Sequence, residues 1–262
     1  GYLGCAILAI VASALRHIEW QRLHAKDRQR IEKLMETALQ VEFPDAQGSA
    51  RVTLFRPVSG YRAFWLWLRR MWTYRRNFFE RAWVCAQYVC APSPFGGPYL
   101  VIDARCGKPN PKHSPTVFRV AEKQGEIDGF AGSAFYWGRP DWIQVPDVKR
   151  ERVEDVLGQG SVDKAAISKW DSSLAKYLEE SCLLNEDTWK RPDHVKRALL
   201  RLTAMGQIPQ LMWAGPLFGG GLAPTPVGVL IFDLDRGYTE INEEQEQRLV
   251  TFSKLLDSTL SV

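Results

Sequence analysis

The chain is poor in the residues that metal and redox chemistry need. Among 262 residues there are four histidines and five cysteines (Cys5, Cys85, Cys90, Cys106 and Cys182), and no two cysteines form a Cys-x-x-Cys pair. A structural zinc site needs soft ligands clustered at short spacing, so that chemistry is disfavoured. An odd, irregular set of cysteines reads as free, mostly buried thiols in a reducing compartment rather than as a disulfide framework. Internal repeats and low-complexity tracts are missing. So are kinase, cyclase and Ser-His-Asp patterns. Asp103, Asp147 and Asp233 are isolated carboxylates, without the paired spacing that would argue for general acid–base work. These gaps point away from an enzyme, and no residue pattern names a cofactor. The net charge of +4 is low, which argues against nucleic-acid binding.

What the chain does have is aromatic side chains, with ten Trp and twelve Phe. Its hydrophobic content of 45% and charged content of 24% are ordinary for a globular protein and allow a core of useful size. The segment Tyr2 to Leu15 is nearly all apolar. A bilayer span needs about 20 such residues, so this run reads as the remnant of a transmembrane helix over residues 1–16. Competing readings are a signal peptide and a buried N-terminal helix. Basic residues follow the run (Arg16, Arg22, Lys26, Arg28, Arg30 and Lys33), which places the main domain in the cytoplasm beneath a cell membrane.

Residues 17–42 form a polar connecting segment, with Ile31, Leu34, Met35 and Ala38 at helical spacing. A helix of this kind can pair in a homodimer, though its stripe is too short to require a coiled coil. Strand patterns follow at Arg51 to Val58, where Pro57 ends the run, at Tyr99 to Ala104 and at Thr116 to Ala121. Two late strands, Gln210 to Leu217 and Val227 to Leu234, are joined by a Gly-rich connection. A final helix has Thr239 as its expected N-cap, with acidic residues in its first turn and Leu249, Phe252, Leu256 and Leu260 at helical spacing. Val162, Ala166, Trp170, Leu174, Leu178 and Cys182 step by four and predict one helix. Asp193 is expected to cap another, through Val195, Leu199 and Leu202.

The segment from Gly125 to Val148 resembles the central signature of GAF domains. The matching positions are Gly129, Ala131, Gly132, Ala134, Phe135, Gly138, Pro140, Val145, Pro146 and Asp147. Ala214-Gly215-Pro216-Leu217 and Pro226 to Asp233 resemble that family's final hairpin, and Tyr238 to Glu244, running into Phe252 and Leu256, resembles its closing helix. The resemblance covers Arg51 to Leu260 apart from two insertions. It implies an α+β fold, with a central antiparallel sheet flanked by helices and preceded by an N-terminal helix. The domain would span 43–262, with helical insertions at about 60–98 and 150–206.

GAF domains hold small ligands between the sheet and the helices on one face, although many members bind none and only dimerise. The resemblance therefore implies either a sensory module that binds a small ligand or partner, or a ligand-free dimerisation domain. The pocket would include the helix start near Ser133, whose backbone N–H groups suit an anion. Phe118, Phe135, Trp137, Trp142 and Trp213 would supply stacking walls, and Arg105 and Arg119 charge. Cyclic-nucleotide subtypes carry an Asn-Lys-x-x-x-Phe-x-x-x-Asp-Glu pattern that this chain lacks. Sulfoxide-reducing members need cysteines near the Gly-rich segment, where this chain has Ala131 and Ser133.

The insertion from Gly60 to Pro98 departs most from the family. It holds six Arg and one Glu, interleaved with aromatics. Trp65, Arg69, Arg70, Trp72 and Arg76 on an amphipathic helix fit an interfacial membrane helix. The competing reading lays the aromatic face of that helix on the domain core.

Overall fold

The computed structural model describes residues 28–46, 49–73, 92–107, 117–146, 163–181, 183–192, 194–196, 198–199, 210–219, 225–234, 238 and 240–260. Six strands are described along this chain: β1 (Ala50–Val58), β2 (Tyr99–Gly107), β3 (Val117–Arg119), β4 (Asp141–Gln144), β5 (Leu211–Leu217) and β6 (Gly228–Leu234). They pair into one sheet in the order β3-β2-β1-β6-β5-β4. Every neighbouring pair is antiparallel. The α+β class expected from the sequence is the class observed. β1 and β6 lie at the centre. The seven residues of β6 are all buried, as a strand covered on both faces must be.

Two hydrophobic layers sandwich the sheet. On one face α1 (28–42) and α7 (Glu243–Leu260) cover Val52, Leu54, Ala104, Trp213, Leu230 and Phe232. Ile31, Met35, Ala38 and Leu39 are the buried stripe of α1. This helix is thus part of the domain core and not merely a connector leading to it. An ion pair from Arg248 Nε to Glu42 Oε2, at 2.6 Å, ties α7 to the end of α1. The N-cap of α7 is Asn242, not Thr239. Its Oδ1 accepts from Gln245 N at 2.8 Å, and its backbone N–H donates back to the Gln245 side chain at 3.4 Å.

The opposite face is covered by α3 (Gly129–Trp137), α4 (Lys164–Trp170), α5 (Ser172–Glu180) and α6 (Glu186–Trp189), together with Val195, Ala198 and Leu199. The stretch expected to be one helix from Val162 is two. Asp171 adopts an extended backbone, and its carboxylate accepts from Ser173 N and Leu174 N, capping α5. Local capping outweighs the four-residue period, because it satisfies two backbone donors that would otherwise lack partners. The helix expected after Asp193 keeps Val195 and Leu199 buried, while Asp193 itself lies outside the described residues.

The expectation of a transmembrane helix is corrected. No described helix is long and apolar enough to cross a membrane. The longest, α7, buries only one stripe and carries charged residues along the rest of its surface. The apolar run at 2–15 lies outside the described residues.

Candidate functional site

β2 carries an irregularity that decides which side chains face the α3–α6 layer. Leu54 pairs with Ala104, but Phe55 pairs with Ile102, so Asp103 is an extra residue. A bulge of this kind inverts the alternation beyond it. Leu100 and Ile102 point into the α3–α6 layer, whereas Ala104 and Cys106 point toward α1 and α7. Arg105 is thereby turned to the same face as Thr53 and Phe55. It is buried, and its Nε donates to Thr53 Oγ1 at 2.9 Å.

Beside this pair, at the same end of the sheet, Arg51 stands directly opposite Asp233. Arg51 Nε and Nη2 donate to Asp233 Oδ2 at 2.7 and 2.5 Å. Both side chains are shielded, at 14% and 10% exposure. Above them, α5 contributes Tyr177, buried within reach of the Asp233 charge and beside Ser181, which caps the helix. Burial raises the Tyr177 phenol well above its ordinary range, and the nearby Asp233 charge adds to that. The Ser181 hydroxyl is itself buried, and it partly offsets the rise by hydrogen bonding toward the Tyr177 hydroxyl. One end of this layer is thus polar, whereas the part beneath α3 is filled by Phe130, Ala131, Ala134 and Phe135 packed with Phe55, Leu100 and Ile102.

The expected pocket residues divide between faces. Phe118 and Phe135 belong to the α3–α6 layer, and Phe118 packs edge-on to Phe55 with ring centroids 5.4 Å apart. Arg105 shares their face of the sheet. Ser133 is buried in the second turn of α3 rather than at its start. The free N–H groups belong to the first turn, where Asp128 holds the N-cap position, and its carboxylate accepts from Arg119 N at 3.3 Å. The Arg119 side chain is exposed and lies 3.7 Å from Glu126. Trp213 lies in the other layer, against Phe232 at 5.8 Å between ring centroids. Trp137 is 46% exposed, with the Arg139 guanidinium 6.0 Å from its ring centroid. Trp142 lies on the edge strand β4 opposite Trp213 and is partly exposed.

The insertion helix α2 (Gly60–Thr73) packs on β2 through Ala63, which meets Val101 and Val117. Trp65 is 51% exposed and Arg69 is exposed, and Tyr61 stands beside Trp65 with ring centroids 6.2 Å apart. The face turned to the core therefore carries small and aliphatic residues, with Tyr61 and Trp65 outside, while Phe64 and Trp67 are half-buried and stack on each other at 6.3 Å. Arg70 and Trp72 lie on the helix with side chains outside the description, and Arg76 lies outside the described residues.

Tyr177, Ser181, Thr53 and the Arg51–Asp233 pair escaped the reading of the sequence. A charged residue at the end of an apolar strand, as in Val229 to Leu234, was the available signal. Its partner lies 182 residues away, so only strand pairing joins the two. No group of acidic, His or Cys residues among those described has the arrangement of a metal site. Compared with protein-family models, with curated proteins and with solved structures, the chain matches none.

Proposed function

We propose that this chain is a GAF-type binding module that takes a small ligand or a partner between its sheet and the α3–α6 helical layer. One observation carries the reading. The glycine-punctuated segment forms a short helix, α3, over one face of a six-stranded antiparallel sheet. Gly138 ends that helix in a left-handed conformation and leads into β4. The β5–β6 hairpin and the closing helix α7 follow in the order that the resemblance implies. Buried polar side chains, Arg105, Asp233 and Ser181, stand at one end of the layer, where a ligand would find hydrogen-bonding groups. Isothermal calorimetry of the full chain against a metabolite panel tests it. Micromolar binding that stabilises the chain on heating is the expected outcome, and a panel with no binder counts against it.

A second reading, a ligand-free dimerisation domain, is favoured by the dense apolar fill beneath α3. It predicts a stable dimer by analytical ultracentrifugation and no heat from any ligand.

A further inference from the structure

We propose that the outer face of α2 rests on an anionic lipid surface, along the interface of the bilayer. The proposal stands apart from the binding-module reading. The exposed side chains described on α2 are Tyr61, Arg62, Trp65, Leu68 and Arg69. At about 100° per residue they fall within one arc of roughly 120°. Ala63, sealed against Val101 and Val117, lies on the opposite side. The outward side of a surface helix is ordinarily its polar side. Here it holds two aromatic rings and a leucine between two arginines, with Tyr61 63% and Leu68 36% exposed. The whole of α2 has three Arg and no acidic residue.

A second element stands beside the helix start. The turn at 93–96 packs on Gly60, where an added Cβ would meet Ser93 O at 2.5 Å and Gly96 O at 2.6 Å. Gly96 N donates to Ser93 O, and Ser93 N to the Tyr99 hydroxyl, both at 3.0 Å. This fastened turn presents Phe95 at 98% exposure. A ring held out in water forgoes burial worth about 1.5–3 kcal/mol, which an apolar surface would return.

Charge decides what covers this face. A second copy laid symmetrically on it would bring arginines toward arginines, with no carboxylate in α2 to answer them. Anionic headgroups answer them, while Tyr, Trp and Phe rings suit the zone between headgroups and acyl chains. The 14 residues of α2 make it about 21 Å long, short of the hydrocarbon core of about 30 Å. Its inner side is tied to β2 through Ala63, so it lies along the surface and not through it.

The test uses the full chain and vesicles of phosphatidylcholine, alone or mixed with phosphatidylserine. Co-sedimentation is expected to retain the chain on the mixed vesicles, to leave it free of phosphatidylcholine alone, and to lose it as salt rises. Arg62→Gln and Arg69→Gln are each expected to weaken binding about fivefold, near 1 kcal/mol. Trp65→Ser combined with Leu68→Ser is expected to weaken it about tenfold, and Phe95→Ser less. All five side chains are exposed, so thermal melting should find every variant folded. Absence of binding, equal binding to phosphatidylcholine alone, or binding unchanged in all the folded variants would each overturn the proposal. So would a dimer, seen by analytical ultracentrifugation without vesicle binding, that the Trp65→Ser, Leu68→Ser chain fails to form, since the face would then belong to a second copy.

Discussion

The Trp213 indole lies over the bare backbone of Gly215, two residues further along the same face of β5. A Cβ added at Gly215 would sit 2.3 Å from Trp213 Cη2 and 2.8 Å from its Cζ3. The indole is fully buried and packed on Phe232, so it has nowhere to move. Gly215→Ala is expected to cost about 1–3 kcal/mol as overpacking. Urea denaturation would show it as a lower midpoint at an unchanged slope, and an unchanged midpoint would contradict the packing described here.

The glycines of the α3 segment are not equivalent. Gly129 has φ +72°, and a Cβ there would stand 2.7 Å from the Phe118 ring. At Gly132 the nearest atoms, Arg119 O and Ile127 Cγ2, are both 3.8 Å from a built Cβ. Gly132→Ala is therefore expected to stabilise the chain by roughly 0.5–1 kcal/mol through helix propensity. Gly129→Ala is expected to destabilise it. Thermal melts of the two variants should move in opposite directions.

Arg51 and Asp233 form a shielded pair whose halves depend on each other. Removing one leaves the other charge buried, at a cost of roughly 3–5 kcal/mol. Arg51→Met combined with Asp233→Leu should recover much of that loss, because neither charge then remains. A double-mutant cycle by chemical denaturation measures the coupling. Additive single effects would mean that the pair does not act as one unit.

Burial pushes the Cys106 thiol up to about 12, with the nearby Glu36 charge adding to the effect. The folded value lies above the unfolded one of 9.0, so folding favours the protonated thiol. That contribution is complete below pH 9 and is lost as pH rises toward 12, at up to about 1.4 kcal/mol per pH unit. Tyr177, also raised, loses its contribution in the alkaline range above pH 10. Cys106→Ala should flatten part of the fall in stability between pH 9 and 11. In the native chain at pH 8, Cys106 should resist iodoacetamide, with modification mapped by mass spectrometry, until denaturant is added.

Asp171 makes two helices out of one apolar period. Asp171→Ala removes both of its capping bonds to α5 and is expected to cost about 1 kcal/mol. Asp171→Asn, which keeps the acceptor, should cost less. Equal losses in the two variants would assign the effect to charge rather than to the cap.

The positions of five of the six strands follow from alternation and from turn residues, with β4 the exception, and the stripe of α1 follows from its period. Those patterns are local, so a window of about ten residues carries them. The same holds for the left-handed stop at Gly138. The faces are another matter. Phe118 and Phe135 share a layer while Trp213 sits behind the sheet, and no local pattern separates them. One extra residue at Asp103 turned Arg105 toward the helical layer, through a register set by pairing with β1. Arg51, Tyr177 and Asp233 meet only because distant segments fold against one another. Sequence periodicity determined which residues avoid water. Tertiary pairing alone decided which buried polar groups keep company, because hydrogen bonds and charges act over a few ångströms of space, whatever the distance along the chain.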